Sequence, residues 1–253
     1  MGLNHDSGLE GAIHDVAIIG TGFGGIGMAY YLRRAGIDSL VMFEKAGDVG
    51  GVWRDNTYPG AACDVASHLY SFAFEPHYPW SRRYGPQPEI HAYLRHVADR
   101  HDLRRHVRFH SEVVEARFDA RRGLWRIGLA DGQTCEARIL ISAVGQLNRP
   151  KIPDLPGLER FAGHSFHSAR WDDTYELRNK TVAVIGTGPS AVQFVPAIAP
   201  HVAHLQVYQR SSAWTLPKFD SAYAGWERWL LRRLPLLHTL DRWRIFWWYE
   251  FLA

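Results

Sequence analysis

The sequence predicts an α/β fold, and three observations support this prediction. A short apolar strand, a glycine-rich turn, a helix and a second strand follow one another from residue 15 onward, and the same order recurs from residue 181. The stretch between the two copies has the alternation and the turn residues of β-structure. The composition, with 46% hydrophobic and 22% charged residues, is typical of globular proteins and excludes a disordered or collagen-like chain.

The first copy of the pattern begins with an apolar strand at residues 15–19. A helix is predicted at residues 26–34, because apolar residues recur there at helical spacing and Gly36 follows as a C-terminal cap. The next strand covers residues 39–44. Strand, helix and strand in this order predict the opening of a parallel sheet.

The middle of the chain combines one helix with β-structure. The helix is predicted at residues 88–102, and the β-structure covers residues 107–144, where two glycine-containing turns indicate a meander. Its last part, residues 139–144, has the continuous apolar character of a buried strand. The proline-rich segment at residues 149–156 is the best candidate for a domain boundary.

The second copy of the pattern has strands at residues 181–185 and 205–210 and a helix at residues 192–199. A segment rich in Trp, Arg and Leu follows it. We predict that this segment is helical to the end of the chain, with an interruption at Pro235.

The first glycine turn, at residues 20–25, has the G-x-G-x-x-G spacing that binds a dinucleotide pyrophosphate. Gly20 allows the tight turn, Gly22 lets the ligand approach the backbone, and Gly25 allows the helix to pack closely. The helix N-terminus that follows attracts phosphate groups. Glu44 ends the next strand, where a carboxylate accepts hydrogen bonds from ribose hydroxyls. This pattern predicts FAD or NAD.

The second glycine turn repeats this arrangement with Gly186 and Gly188, and an alanine replaces its third glycine. Arg210 follows Gly186 at the same sequence distance at which Glu44 follows the first glycine of its own turn. A cation at the position that recognises the ribose favours a 2′-phosphate, and therefore NADP.

Two different dinucleotides on one chain imply hydride transfer from NADPH to a flavin. The predicted fold is therefore α/β with two dinucleotide-binding (Rossmann-like) units, FAD first and NADP second. The second unit is truncated, a β-meander is inserted, and the C-terminal tail is helical. The other interpretation of the second turn is a purely structural strand–helix corner, but this would make the matched spacing and the reversed charge a coincidence.

Composition disfavours several other function classes. The formal charge of +3 is too small to indicate a nucleic-acid partner. Cys63 and Cys135 form no redox pair, which disfavours a disulfide reductase, and the histidines lack metal-ligand spacing, so no metal is expected. The polar N-terminus and the lack of a long apolar run predict a cytoplasmic protein.

Two further motifs carry a family resemblance. The run GGVWRDNTYPGAACD occupies residues 50–64, and FAGHSFHSARWD occupies residues 161–172, between the two glycine turns. The second run matches the pattern F-x-G-x-x-x-H-[TS]-x-x-W-[PD]. With these motifs the sequence resembles the flavin-dependent monooxygenases, within them the Baeyer–Villiger branch, from residue 14 to about residue 217.

The resemblance implies that NADPH reduces FAD and that O2 then forms a C4a-peroxyflavin, which inserts oxygen beside the carbonyl of a small-molecule ketone or related organic substrate. It implies that Asp64 is catalytic and orients an active-site arginine that is absent from this sequence. It places near FAD the residues Gly20, Gly22, Gly25, Glu44, Trp53, Asp64, Tyr70 and Val113. It assigns to NADP the residues Gly186, Gly188, Ser190 and Arg210. The signature residues are Phe161, Gly163, His167 and Trp171, with His167 as a hinge between domains.

The predicted organisation has an FAD-binding part at residues 1–150 and a linker with the signature at residues 151–178. The start of an NADP-binding domain follows at residues 179–217, and a helical segment at residues 218–253. We therefore expect the N-terminal half of a monooxygenase, with impaired activity alone and a missing C-terminal half as its partner. The Trp/Arg-rich tail has a second interpretation as a peripheral membrane contact. The alternative functions are an N- or S-oxygenating relative, against which Trp171 argues, and a non-catalytic nucleotide-binding fragment.

Overall fold

The computed structural model describes residues 13–212 and 218–252. These residues form two compact units. The first contains the described residues up to Arg54 together with His91–Arg149, and the second contains Asp55–Ile90 and the described residues from Pro150 onward. The predicted boundary at residue 217 lies outside the described residues, and the predicted four-part organisation stays a prediction.

The first unit is built on one six-stranded sheet. Its strands are β1 (Ile13–Ile19), β2 (Leu40–Phe43), β3 (Val107–Arg108), β4 (Val113–Asp119), β5 (Leu124–Leu129) and β6 (Thr134–Ser142). They lie in the order β3-β2-β1-β6-β5-β4. The first four strands of this order pair in parallel, and β4, β5 and β6 form the predicted antiparallel meander. Ile19 lies opposite both Phe43 and Ser142, so three parallel strands end at the same edge of the sheet.

Three helices accompany this part of the chain: α1 (Phe23–Arg34), α2 (Val52–Asp55) and α3 (Gln87–Arg100). Helix α1 begins three residues earlier than predicted, directly after the glycine turn. A glycine with left-handed φ, Gly36, follows its C-terminus, as expected. The core of the unit is a cluster of side chains from β1, β2, β5 and β6, namely Ala17, Val41, Phe43, Ile127, Leu129, Cys135 and Ala137.

The run at residues 139–144 is not the buried strand that the sequence predicts. Cys135 and Ala137, at the beginning of β6, are buried in the core, whereas Ile139 is 53% exposed and Val144 is 48% exposed. An apolar run indicates that a strand is stable when other residues bury it. The run does not indicate whether such residues are present. Among the described residues, the core contacts β6 through the buried Cys135 and Ala137 and through the half-buried Leu140.

The second unit repeats the strand–helix–strand order on a smaller scale. Strand β7 (Thr181–Ile185) is followed by helix α4 (Pro189–Ile198) and by strand β8 (His204–Tyr208). The two strands pair in parallel, with Ile185 opposite Tyr208. Helix α4 begins before the predicted residue 192, because Pro189 fits the first position of a helix. Val184 and Phe194 are buried in the core of this unit.

The tail contains two helices, α5 (Gly225–Arg233) and α6 (Pro235–Leu252), separated where the proline predicts an interruption. More than half of the surface is exposed in six of their aromatic side chains: Trp226, Trp229, Trp243, Trp247, Trp248 and Phe251. In the described part of the chain, every helix is too short or too polar to cross a membrane. The predicted fold class, with its parallel sheet, meander and helical tail, is confirmed.

Candidate functional site

The first glycine turn is tightly enclosed by backbone. Gly20 has φ +99°, and a Cβ at this position would lie 2.6 Å from the carbonyl oxygen of Ala143. A Cβ on Gly25 would lie 2.0 Å from the carbonyl oxygen of Gly20. Only glycine fits at both positions. The predicted close packing at Gly25 is therefore present, and the group it contacts is the backbone of the turn itself.

The turn opens helix α1 without obstructing its N-terminus. Gly22 is the N-cap, and no side chain caps the first turn of the helix. The N–H of Gly20 donates to the carbonyl of Phe43 at 2.8 Å, which places the turn at the carboxyl end of β2. Backbone N–H groups at such a helix start bind phosphate well, because they point outward and the helix dipole favours negative charge.

Glu44 follows β2 directly and is 4% exposed. Its Oε2 accepts hydrogen bonds from the hydroxyl of Thr21 at 2.6 Å and from the Thr21 N–H at 3.3 Å. Its Oε1 accepts from the N–H of Ala46 at 3.0 Å and lies 3.0 Å from Nη1 of Arg54. Four donors match the four lone-pair positions of a carboxylate. A ribose hydroxyl would therefore share or replace one of these donors.

Thr21 and Arg54 are two site residues that sequence reasoning missed. Thr21 occupies a variable position of the glycine pattern, so the pattern carries no signal for it. Arg54 was visible within the run at residues 50–64, but nothing in the sequence indicates that its guanidinium reaches Glu44.

Three further residues predicted to lie near the flavin have ordinary structural environments. Trp53 lies half-buried in helix α2, and Tyr70 is half-buried in the second unit. Val113 begins β4 and packs against the core of the first unit. Their proposed contacts with FAD stay predictions.

The second glycine turn has the same geometry in open surroundings. Gly186 has φ +105°, and its N–H donates to the carbonyl of Tyr208 at 2.9 Å, at the end of β8. Gly188 is the N-cap of α4 and, like Gly22, has no side-chain cap. A Cβ on either glycine of this turn would meet no atom within 4 Å among the described residues. Ser190 is half-buried in the first turn of α4, and Arg210 is exposed just beyond β8.

Asp64 lies in the second unit on the loop that carries residues 58–64. Its Oδ1 accepts a hydrogen bond from Nε2 of Gln193 at 3.1 Å. Nζ of Lys218 lies 3.5 Å from the same oxygen, and the Asp64 side chain is 64% exposed. This carboxylate is therefore held at one oxygen and remains accessible to a cation. Gln193 and Lys218 were not found from the sequence, because both lie more than a hundred positions from Asp64.

The signature segment forms a compact loop in the second unit. His167 caps the short 3-10 helix Ser168–Arg170, with Nδ1 accepting the N–H of Ala169 at 3.0 Å. Trp171 packs its ring 5.3 Å from that of Phe194, in the unit's core. Phe161 is 60% exposed and lies over Gly163, where a Cβ would come 2.5 Å from the ring. These contacts explain the residue types of the signature, whereas the hinge role of His167 stays a prediction.

Asp172 holds the end of the signature in place. Its Oδ1 accepts hydrogen bonds from the hydroxyl and the N–H of Thr174, at 2.5 Å and 3.0 Å, and its Oδ2 lies 2.9 Å from Nε2 of His164. The hydrogen bonds from Thr174 are the main cause that lowers the pKa of Asp172. Asp172 therefore stays ionised and acts as an acceptor for the loop.

Both cysteines are free and buried. Burial raises the pKa of Cys63 to about 11 and that of Cys135 to about 11 as well. The thiolate, which is the reactive form, is scarce at neutral pH. This agrees with the interpretation of Cys63 as a small buried apolar residue and argues against thiol–disulfide chemistry at either position.

Comparison with known proteins connects these turns to flavoenzymes. The model of the family described as pyridine nucleotide-disulphide oxidoreductase matches residues 17–232. A Baeyer-Villiger monooxygenase of Streptomyces coelicolor is 52% identical over 227 residues, which are 90% of this chain and 44% of that protein. This chain thus spans less than half the length of that relative.

Two solved structures are similar over most of the chain. Cyclohexanone monooxygenase from Rhodococcus sp. Phi1, bound to NADP+, has 38% identity and a TM-score of 0.81 over 87% of this chain and 43% of that one. The OTEMO complex with FAD and NADP has 35% identity and a TM-score of 0.81, again over 87% and 43% of the two chains. The resemblance stated from the motifs is confirmed.

Proposed function

Because the chain belongs to the pyridine nucleotide-disulphide oxidoreductase family, we propose that it provides the FAD- and NADPH-binding part of a flavin monooxygenase. The proposed reaction is a Baeyer–Villiger oxygenation of a small-molecule ketone with O2. The relatives named above support this assignment. The chain covers under half of their length.

The matched geometry of the two glycine turns is the observation that carries this proposal. In each turn, the first glycine has a left-handed φ and donates its N–H to the last residue of the second strand. Each turn then opens a helix without a side-chain cap. An acidic residue, Glu44, follows one second strand, and a basic residue, Arg210, follows the other. Counted from the strand ends, Glu44 is the first residue after β2 and Arg210 is the second residue after β8, so the match in sequence is offset by one residue in the structure. Opposite charges just beyond the two strands favour two different nucleotides.

The residues of the first turn fit the nucleotide part of FAD. The start of α1 at Gly22 has no side-chain cap, so its backbone N–H groups can bind a pyrophosphate. Glu44 is the acceptor for a ribose hydroxyl, and Arg54 fixes the orientation of its carboxylate. We assign Trp53, Tyr70 and Val113 to the surroundings of the same cofactor on the resemblance alone.

The residues of the second turn fit NADPH. The open space at Gly186 and Gly188 accepts a pyrophosphate, and the hydroxyl of Ser190 lies in the first turn of the same helix. Arg210 is exposed and free to contact a 2′-phosphate, to which a guanidinium can donate two parallel hydrogen bonds. His167 remains our proposed hinge residue.

FAD, when bound, supplies the transfer of electrons from NADPH to O2. The contribution of this chain beyond cofactor binding lies in Asp64. Its carboxylate has one oxygen engaged by Gln193 and a largely exposed surface, so it can orient a cationic side chain beside the reacting centre. We propose this as its catalytic role, with the arginine supplied by a further segment.

The exposed aromatic face of α5 and α6 marks the proposed partner surface. Several exposed tryptophans on neighbouring helices are typical of an interface. We propose that it contacts the protein segment that corresponds to the remaining length of the relatives. The alternative is that this face binds the surface of a lipid bilayer. Binding of the purified chain to anionic vesicles would favour this alternative. A cytoplasmic location is part of the same proposal.

The experiment that tests the function begins with the visible spectrum of the purified chain. A flavin spectrum together with tight binding of NADPH supports the proposal. A colourless protein that binds neither nucleotide would identify a non-catalytic fragment. Product analysis with a cyclic ketone and a thioether, in the presence of the corresponding C-terminal half of a relative, separates ester formation from S-oxygenation.

A further inference from the structure

The side chain of Gln193 uses its whole hydrogen-bonding capacity on one loop. Its Oε1 accepts from the hydroxyl of Tyr58 at 3.1 Å and from the N–H of Ala62 at 3.2 Å. Its Nε2 donates to the carbonyl of Ala62 at 2.9 Å and to Oδ1 of Asp64 at 3.1 Å. An amide has two donor and two acceptor positions, so all four are used. The N–H of Ala62 requires an acceptor and its carbonyl requires a donor. This fixes the amide orientation, with Oε1 of Gln193 towards the N–H and Nε2 towards the carbonyl.

The loop at residues 58–64 lies directly against the backbone of helix α4. Gly60 has φ +80°, and a Cβ there would lie 2.7 Å from the carbonyl oxygen of Gln193. The ring of Tyr58 packs edge-on against Phe194, with 6.1 Å between centroids. The loop is therefore held by both packing and hydrogen bonds, and any shift of α4 must move it.

Helix α4 is also the helix that the second glycine turn opens. Its N-cap is Gly188, and Gln193 lies a little more than one helical turn further along. One turn of a rigid helix thus separates the proposed phosphate position from the amide that holds Asp64.

We propose that Gln193 is a positioning residue that couples nucleotide occupancy at the second turn to the orientation of Asp64. This inference rests on the proposed NADP site. A nucleotide that orders the start of α4 orders the loop through Gln193. By linkage, the state of the loop changes the affinity for the nucleotide by the same factor.

The ion pair of Asp64 with Lys218 does not replace this coupling. The two atoms are 3.5 Å apart, and the Asp64 side chain is 64% exposed, so water screens their attraction. Lys218 also lies outside α4, on the far side of residues 213–217 in the sequence. Gln193 is the residue that joins Asp64 to the nucleotide helix itself.

The test uses the full chain, with NADP+ as the probe. Calorimetry measures the affinity, and hydrogen–deuterium exchange follows the amide of Ala62, which donates to Gln193. We expect NADP+ to slow this exchange at least fivefold in the wild type and less than twofold in Gln193→Ala. The affinity of Gln193→Ala for NADP+ should fall about fivefold or more, which is the lower end of typical coupling between sites.

Two further variants keep the result interpretable. Gln206→Ala is the matched control, since Gln206 is exposed on β8 and also accepts a tyrosine hydroxyl, from Tyr208 at 2.8 Å. It should respond to NADP+ as the wild type does. Gln193→Glu retains the acceptors but places a carboxylate against Asp64. Because it cannot donate to Asp64 or to the carbonyl of Ala62, its response to NADP+ should be lost.

The outcomes separate the two proposals. If the wild type binds no NADP+, the proposed function fails and this inference fails with it. If the wild type binds NADP+ but Gln193→Ala keeps the protection of Ala62, the coupling alone is overturned. If Gln193→Ala does not fold, Gln193→Glu decides, and protection of Ala62 by NADP+ as strong as in the wild type contradicts the inference.

Discussion

The two glycine turns have the same local sequence pattern and differ in what surrounds them. Gly20 and Gly25 are enclosed by backbone within 3 Å of an added Cβ, whereas a Cβ on Gly186 or Gly188 would meet no atom of the described residues within 4 Å. The acidic residue of the first turn, Glu44, is 4% exposed and has four donors, whereas the basic residue of the second is exposed.

This difference indicates two modes of nucleotide binding. An enclosed, preorganised site loses little entropy on binding and favours a cofactor that is retained. An open site with an exposed cation favours a nucleotide that enters and leaves. The contrast matches a flavin that remains bound through many turnovers and a nicotinamide nucleotide that is exchanged.

The largest effect is expected from Glu44→Ala. This change removes the buried carboxylate beside the half-buried Arg54 guanidinium, and breaking a buried ion pair costs about 3–5 kcal/mol. Urea unfolding should show this loss of stability, together with loss of bound FAD. The matched control is Glu115→Ala, which removes an exposed ion pair with Arg117 and should cost less than about 1 kcal/mol. Equal losses in the two variants would contradict the structural role of Glu44.

The next effect comes from adding a methyl group to each turn. Gly25→Ala forces a Cβ to within 2.0 Å of a carbonyl oxygen and should lower the free energy of unfolding by about 1–3 kcal/mol or more. Gly188→Ala meets no described atom within 4 Å and should cost less than about 1 kcal/mol. Denaturation of both variants measures the contrast. A reversed order would mean that the second turn is the enclosed one.

Arg210→Ala is expected to act on nucleotide choice. Loss of the exposed guanidinium should weaken NADPH binding roughly tenfold, which is about 1.4 kcal/mol, and leave NADH binding unchanged. Titration with both nucleotides measures the ratio. In Glu44→Ala the ratio of the NADPH and NADH affinities should stay as in the wild type. If Arg210→Ala changes both affinities equally, the 2′-phosphate assignment is wrong.

The smallest expected effect is a loss of stability of the tail helices at acidic pH. His238 in α6 is 2% exposed, and within the described residues both of its ring nitrogens lack a hydrogen-bond partner. Burial, together with the nearby His68 and His77, lowers the pKa of His238 to about 4. Burial alone would raise the pKa of Asp241, but hydrogen bonds from His68 and Arg244 lower it to about 2. The unfolded state binds the His238 proton first, so the stability of the tail falls as the pH drops from about 6.5 towards 4.

Tryptophan fluorescence of α5 and α6 should therefore change over this pH range, and His238→Phe should reduce the change. His14 offers the comparison in the first unit, since burial also lowers its pKa. His14→Phe should leave the fluorescence change of the tail as it is. If it abolishes the change, the acid response does not arise in the second unit.

The sequence pattern was sufficient to predict much of the fold and part of the two candidate nucleotide sites. The strand–turn–helix order predicted both parallel pairs, and the meander was predicted from its turns. Helix starts at Phe23 and Pro189 were predicted three residues late, because apolar spacing does not detect a first turn made of glycine, proline and serine. Burial of Ile139 was predicted wrongly, since an apolar run does not reveal what covers it.

Contacts between distant segments were beyond prediction. Thr21 and Arg54 converge on Glu44, and Gln193 reaches Asp64 across 129 positions of sequence. Long polar side chains can reach many partners, and only the folded backbone selects one of them.

The sequence by itself determined that two turns of one design would form, because glycine spacing and strand–helix order act over a few residues. Only the tertiary structure decided that the first turn is enclosed and that, among the described residues, the second has open surroundings. Enclosure depends on how strands distant in the chain end at a common edge, as β1, β2 and β6 do in the first unit. Such packing is a property of the assembled core and is not encoded in any local pattern.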